Sequence, residues 1–157
     1  MYEMRLKSVR HAVGMNTFYR LFERTLILLA PLLKWAGYHK WEKPFAAIER
    51  KVKGVLFDCQ MCGQCILSST GMSCPMNCPK SLRNGPCGGV RANGHCEVKP
   101  EMKCVWVMAW EGTKNMNSQQ AILQVQPQID HRLKGRSAWL RVLRIEHPET
   151  ITPKVKT

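Results

Sequence analysis

All eight cysteines of the chain fall between residues 59 and 104, in the order C-x2-C-x2-C-x8-C-x3-C-x8-C-x8-C-x7-C. Eight of the eleven glycines (Gly54, Gly63, Gly71, Gly85, Gly88, Gly89, Gly94 and Gly112) and four of the nine prolines (Pro75, Pro79, Pro86 and Pro100) lie between residues 54 and 112. Such punctuation leaves no room for long helices or strands. Little apolar surface is available there to hold loops together, so metal ligation is the natural organiser. In a reducing compartment a dense thiol cluster reads as a metal site before it reads as disulfides.

The opening run Cys59, Cys62, Cys65 suits a cubane. One tight loop can wrap three corners of a 4Fe–4S cluster, and a remote cysteine, commonly followed by proline, closes the fourth. Two cysteines have that form here, Cys74 before Pro75 and Cys78 before Pro79. Gly63 inside the run is expected to let the backbone approach the cluster sulfides. Zinc is the competitor: Cys59-x2-Cys62 and Cys74-x3-Cys78 would form two knuckles, but the third cysteine of the run would then be left over.

Eight thiols make two complete four-ligand sets. Two 4Fe–4S clusters are the simplest account, and one cluster with one zinc is the alternative. The expected partition gives Cys59, Cys62, Cys65 and Cys78 to one site, and Cys74, Cys87, Cys96 and Cys104 to the other. His95, beside Cys96, reads as a loop residue or hydrogen-bond donor rather than a ligand. Lys80, Arg83 and Arg91 either balance the cluster charge, dock a partner, or are solvated loop cations. Trp106 and Trp110 read as core.

The net charge of +13 is unevenly spread. Residues 1–53 carry eleven Lys/Arg and four Asp/Glu, residues 54–112 carry five and four, and residues 113–157 carry eight and three. Basic segments therefore flank a nearly neutral cysteine segment. They would face an acidic partner, a phosphate-bearing cofactor or nucleic acid, or simply be solvated. A nucleic-acid-binding zinc module is disfavoured, because finger spacing with paired histidines and aromatic residues interleaved with the basic charge are both missing. The longest apolar run, Thr25–Leu33, is about half of the roughly twenty residues a spanning helix requires. No secretory leader is recognisable, so the expectation is a soluble, cytoplasmic protein.

Three segments follow. Residues 1–53 form a basic helical arm: Phe18, Leu21, Phe22, Thr25, Leu26, Leu29, Leu32 and Leu33 recur at helical spacing, with Asn16 or Thr17 as N-cap and a break at Pro31. A second helix is expected over Lys43–Lys53, with Pro44 in its first turn. Residues 54–112 are the cysteine-rich domain, in which Val105–Trp110 forms a buried strand or helical turn. Residues 113–157 form an extended tail, in which Gln119 onwards starts a helix and Ala138–Glu146 forms a strand. The fold expected is a small irregular α+β metal-bound domain. No dinucleotide, nucleotide-phosphate or nucleophile-elbow motif occurs, so no complete catalytic cycle is visible and no catalytic residue is assigned.

The stretch "CGQCILSSTGMSCPMNCPKSLRNGPCGG", continuing to "GHCEVKPEMKCVW", resembles the methylenetetrahydrofolate reductase C-terminal (MetV-like) family over about residues 54–112. That resemblance implies a small subunit or domain working with a flavin-dependent reductase resembling a TIM barrel. Flavin and folate would sit on that partner, and metal centres would sit here. It carries the ligand role to Cys59, Cys62, Cys65, Cys74, Cys78, Cys87, Cys96 and Cys104. It implies passage of electrons towards the flavin or docking of an electron donor. The other roles left open are a metal-stabilised docking platform without redox change and, outside the resemblance, the nucleic-acid module. No barrel is expected within these 157 residues.

Overall fold

The computed structural model describes residues 2–116 and 119–146. Six α-helices run in the order α1 (Tyr2–Arg10), α2 (Ala12–Leu28), α3 (Ala30–Ala36), α4 (Tyr38–Phe57), α5 (Val105–Asn115) and α6 (Ala138–Glu146). Between α4 and α5 the backbone is irregular apart from 3-10 turns at Leu67–Ser69 and Pro75–Asn77. Two more 3-10 turns, Gln119–Leu123 and His131–Leu133, precede α6.

The expected breaks fall where proline and glycine dictate. Pro31 opens α3 rather than continuing α2, because its ring cannot follow a helical turn. Gly37, at φ +82°, separates α3 from α4. The second helix is longer than expected and carries Pro44 in its interior. Asn16 and Thr17 lie within α2, whose N-cap is His11. Thr17 Oγ1 donates to the Val13 carbonyl at 2.9 Å instead of capping.

One core joins α2, the start of α3, the end of α4, the first cysteine loop and α6. Ala12, Tyr19, Leu26, Ala30, Phe57, Leu67, Met72, Met116, Trp139, Leu140 and Leu143 are buried together. The Phe22 and Trp139 rings meet edge-on with centroids 4.6 Å apart. The face expected on α2 and α3 is only partly absorbed by this core. Leu26 is buried, and Phe22 and Leu33 pack against the cluster. Phe18, Leu21, Leu29 and Leu32 remain exposed, as do Leu28 and Trp35, the last 87% exposed.

The α+β expectation is corrected. Among the described residues there is no strand, and the single β-bridge pairs His95 with Lys103. Val105–Asn115 is a helix. The sharpest difference is Ala138–Glu146, expected as a strand in an extended tail. It is α6, and Trp139, Leu140 and Leu143 are fully or almost fully buried. Ser137 explains the choice: its Oγ accepts from the Leu140 N–H at 3.2 Å, an N-cap bond that satisfies an otherwise orphan donor. The apolar residues then follow helical spacing. Gln119 onwards forms only a 3-10 turn. The remainder of the expected tail, residues 147–157, lies outside the described residues. No described helix is long and apolar enough to cross a membrane.

Candidate metal centre

The eight cysteines, none in a disulfide, sort into two groups of four. Cys59, Cys62, Cys65 and Cys74 line one cavity. Cys78, Cys87, Cys96 and Cys104 line a second. This exchanges Cys74 and Cys78 relative to the partition expected from the sequence. The Pro75–Asn77 turn between them gives the reason. It leaves its flanking residues extended at both ends and is pinned at Asn77, which donates to the Phe57 carbonyl and accepts from Gln60, each at 3.0 Å. Cys74 is thereby held beside the three-cysteine run and Cys78 faces the other cavity. Among the described residues, no three His, Cys, Asp or Glu side chains form a group that would hold one metal ion.

The first cavity rests on the helical core. The cysteine loop starts where α4 ends, at Asp58 in a left-handed conformation (φ 52°). Met61, between Cys59 and Cys62, is also left-handed at φ 49°, a conformation uncommon outside glycine. Gly63 is left-handed as well, at φ +73°. An added Cβ would lie 2.4 Å from the Leu133 carbonyl oxygen, so this glycine admits the His131–Leu133 turn against the loop. The Gly135 N–H donates to the Met61 carbonyl at 2.8 Å in the same contact. Gly71 (φ +56°) has the same kind of role behind the loop, where a Cβ would lie 2.4 Å from the Thr113 nitrogen of α5. Thr70 Oγ1 donates to the Ser73 carbonyl at 2.7 Å, and Ser73 Oγ donates to the Val105 carbonyl at 3.0 Å.

A buried ion pair forms part of the same cavity wall. Lys53 Nζ and Glu49 Oε1, one helical turn apart on α4, are 2.7 Å apart and almost fully buried. Lys53 also donates to the Tyr19 hydroxyl at 3.2 Å and lies about 5 Å from the centroids of the Tyr19 and Trp139 rings. Glu49 Oε2 accepts from Ser137 Oγ at 2.7 Å. Burial opposes the lysine charge, but Cys65 and Glu49 outweigh it and raise its pKa above the ordinary value. Lys53 therefore places a fixed positive charge beside thiols that a metal would hold as thiolates. Burial also pushes the Cys59 thiol up to about 11 and the Cys74 thiol up to about 12. Both are protonated near neutral pH until a metal displaces the proton. The sequence reading missed this wall; its legible signal was Glu49 and Lys53 at i,i+4 on the last turns before the first cysteine.

The second cavity is built from loops and the start of α5. Cys104 is the N-cap of α5, so the helix end that favours negative charge adjoins four thiols. Trp106 lines the cavity and donates from Nε1 to the Leu82 carbonyl at 3.2 Å. Trp106 is buried as expected, whereas Trp110 is half exposed. Lys80 and Glu97 form an ion pair at the cavity, and Cys87 Sγ is 3.6 Å from the same carboxylate. The Gly89 backbone N–H, followed by Lys80, holds the exposed Cys87 thiol below the usual range. His95 lines neither cysteine cavity; its Nδ1 is 2.7 Å from the Pro100 carbonyl. Arg91 reaches the Glu97 carbonyl at 3.4 Å. Arg83 is buried and belongs to the first cavity instead.

By donor type each group of four thiols fits a 4Fe–4S cluster or a four-cysteine zinc site, although among the described residues no three of these side chains are grouped as they would be around one ion. The fit rests on soft sulfur ligands around a common space, with a buried cation at the first site and a helix N-terminus at the second. A model of the family described as methylene-tetrahydrofolate reductase C terminal matches residues 38–132. That span takes in α4, both cysteine groups and α5. No curated protein and no solved structure matches the chain.

Proposed function

The chain belongs to the methylene-tetrahydrofolate reductase C-terminal family, and from that premise we propose that it is an iron–sulfur electron-transfer and assembly subunit of a methylenetetrahydrofolate reductase complex. The observation that carries the reading is the sorting of the thiols. The C-x2-C-x2-C run shares its cavity with Cys74, which precedes Pro75, the ligand pattern of a ferredoxin-type cluster. The other four thiols line a cavity of their own. Bound clusters would supply one-electron transfer.

The protein's own residues would set the surroundings. Cys59, Cys62, Cys65 and Cys74 would hold one cluster, with Lys53 offsetting its negative charge. Cys78, Cys87, Cys96 and Cys104 would hold the other, beside the N-terminus of α5. Flavin and folate would reside on a separate flavin-dependent reductase subunit. The exposed apolar residues of α2 and α3, from Phe18 to Trp35, support assembly with such a partner, because patches of this kind mark interaction sites.

Metal and sulfide analysis of chain purified without oxygen tests the reading, together with co-purification of a flavoprotein. About eight irons and about eight sulfides per chain are expected, from two four-iron clusters. Zinc alone, or iron that dithionite leaves spectrally unchanged, would overturn the electron-transfer role and leave a metal-held docking subunit.

A further inference from the structure

The outward face of α2 and α3 carries a pattern that the core does not use. Phe18, Leu21, Thr25, Leu28, Leu32 and Trp35 alternate at intervals of three and four residues. The five apolar members are between 58% and 87% exposed. Pro31 does not interrupt this seam. Leu29 keeps a right-handed helical backbone at the joint, with φ −84° and ψ −4°. Its N–H donates to the Thr25 carbonyl at 3.1 Å, and the Leu33 N–H donates to the Leu29 carbonyl at 3.0 Å. Thr25 Oγ1, in the middle of the seam, donates to the Phe22 carbonyl at 2.7 Å, so burying it leaves no unmet donor. Arg20, Arg24 and Lys34 are exposed along one edge. Phe22 and Leu33 close the other edge by packing against the core. Glu23 is the one acidic residue between positions 12 and 36, and it lines a third cavity, to which Arg83 also contributes.

We propose that this seam receives one amphipathic helix of a protein partner, acidic along the edge that meets Arg20, Arg24 and Lys34. A strict alternation of three and four is the spacing that the side chains of a second helix fill one by one, and charge along the edge selects the partner. Two copies of this chain paired through the seam would bring no acidic edge to these cations. A lipid surface imposes no such spacing. Thr25 at the centre and the covered edge at Phe22 and Leu33 also limit the apolar area it would gain. That the helix belongs to the reductase subunit rests on the functional reading above; the chemistry of the seam does not.

The test uses the full chain, produced alone and purified without oxygen. Into it is titrated a synthetic helical peptide of about twenty residues, with leucine at alternating intervals of three and four and glutamate along its edges. A second peptide carries lysine in place of every glutamate. Saturable binding of the glutamate peptide is expected, about tenfold or more tighter than that of the lysine peptide. Leu28→Ser with Leu32→Ser should weaken it by about tenfold or more, with helix content and metal content unchanged. Arg20→Glu with Arg24→Glu should reverse the preference between the peptides. The proposal is overturned if the glutamate peptide does not saturate, binds no better than the lysine peptide, or binds the serine double variant like the wild type. It is equally overturned if the seam instead holds phosphatidylglycerol vesicles or a second copy of the chain, a property the serine double variant would lose. In purification from cells, a flavoprotein retained equally by the wild type and the serine double variant would overturn the docking site and leave the subunit reading standing. A flavoprotein absent from both would count against the subunit reading alone, and the peptides would still decide the seam.

Discussion

The two cysteine cavities offer the same donors on different supports. The first abuts the hydrophobic core, and Cys65 and Cys74 pack against it. Part of its wall is a buried ion pair anchored to α4, α2 and α6 through Glu49, Lys53, Tyr19 and Ser137. The second is assembled from turns between Cys78 and Cys104, and its ion pair, Lys80 with Glu97, is substantially exposed. The lesson concerns what holds a loop. Where helices and a core already fix the backbone, a bound metal would add chemistry to an existing scaffold. Where they do not, it would supply the scaffold as well.

Removing metal should break the symmetry most strongly. Structural metal contributes on the order of 10 kcal/mol to folding in small metal-dependent domains. In metal-stripped protein, amide-exchange protection should vanish between residues 78 and 104, while the amides of α2, α4 and α6 stay protected. Equal loss everywhere would mean that the helical support of the first site is insufficient.

Thiol reactivity of the same stripped, reduced protein gives the next largest contrast. Burial raises the pKa of Cys59 and Cys74 to about 11 and about 12. A raised thiol pKa means less thiolate below it, so at pH 8 each has on the order of a thousandth of its thiol ionised, or less. Cys87, exposed and within the segment expected to open, should react with iodoacetamide well before either. Labelling of Cys59 and Cys74 should accelerate only as pH climbs towards their pKa values. Site-resolved mass spectrometry measures the order; comparable rates at pH 8 would deny the burial of the first group.

The two ion pairs sharpen the comparison further. Lys53→Met leaves Glu49 buried without its cation and should cost about 3–5 kcal/mol, seen as a lower urea midpoint. Lys80→Met removes an exposed pair and should cost about 1 kcal/mol or less. Similar costs for the two would contradict the burial difference between the sites.

The grouping of the cysteines into one compact region was legible because all eight fall within 46 residues of glycine- and proline-rich sequence. The fourth cysteine of the first group was not, since Cys74 and Cys78 each precede proline. Their assignment depends on Asn77 bonding to the end of α4, a contact that joins residues 20 apart in sequence. The strand expected at Ala138–Glu146 followed its Val, Ile and Trp content, a weaker guide than the Ser137 cap directly before it. Left-handed backbone at Met61 and Met72 left no sequence signal, because tertiary contacts rather than glycine impose it. Arg83 read equally as a cation balancing cluster charge, docking a partner or solvated on a loop, and only packing shows that it is buried between two cavities.

The central claim is that Cys59, Cys62, Cys65 and Cys74 act as one ligand set and Cys78, Cys87, Cys96 and Cys104 as the other. Metal analysis of two double variants tests it most directly. Cys78→Ser with Cys87→Ser strikes one set twice and should retain about half of the wild-type metal. Cys74→Ser with Cys87→Ser strikes both sets and should retain little. The reverse pattern would contradict the partition, and wild-type metal content in both variants would contradict the ligand role of these thiols altogether.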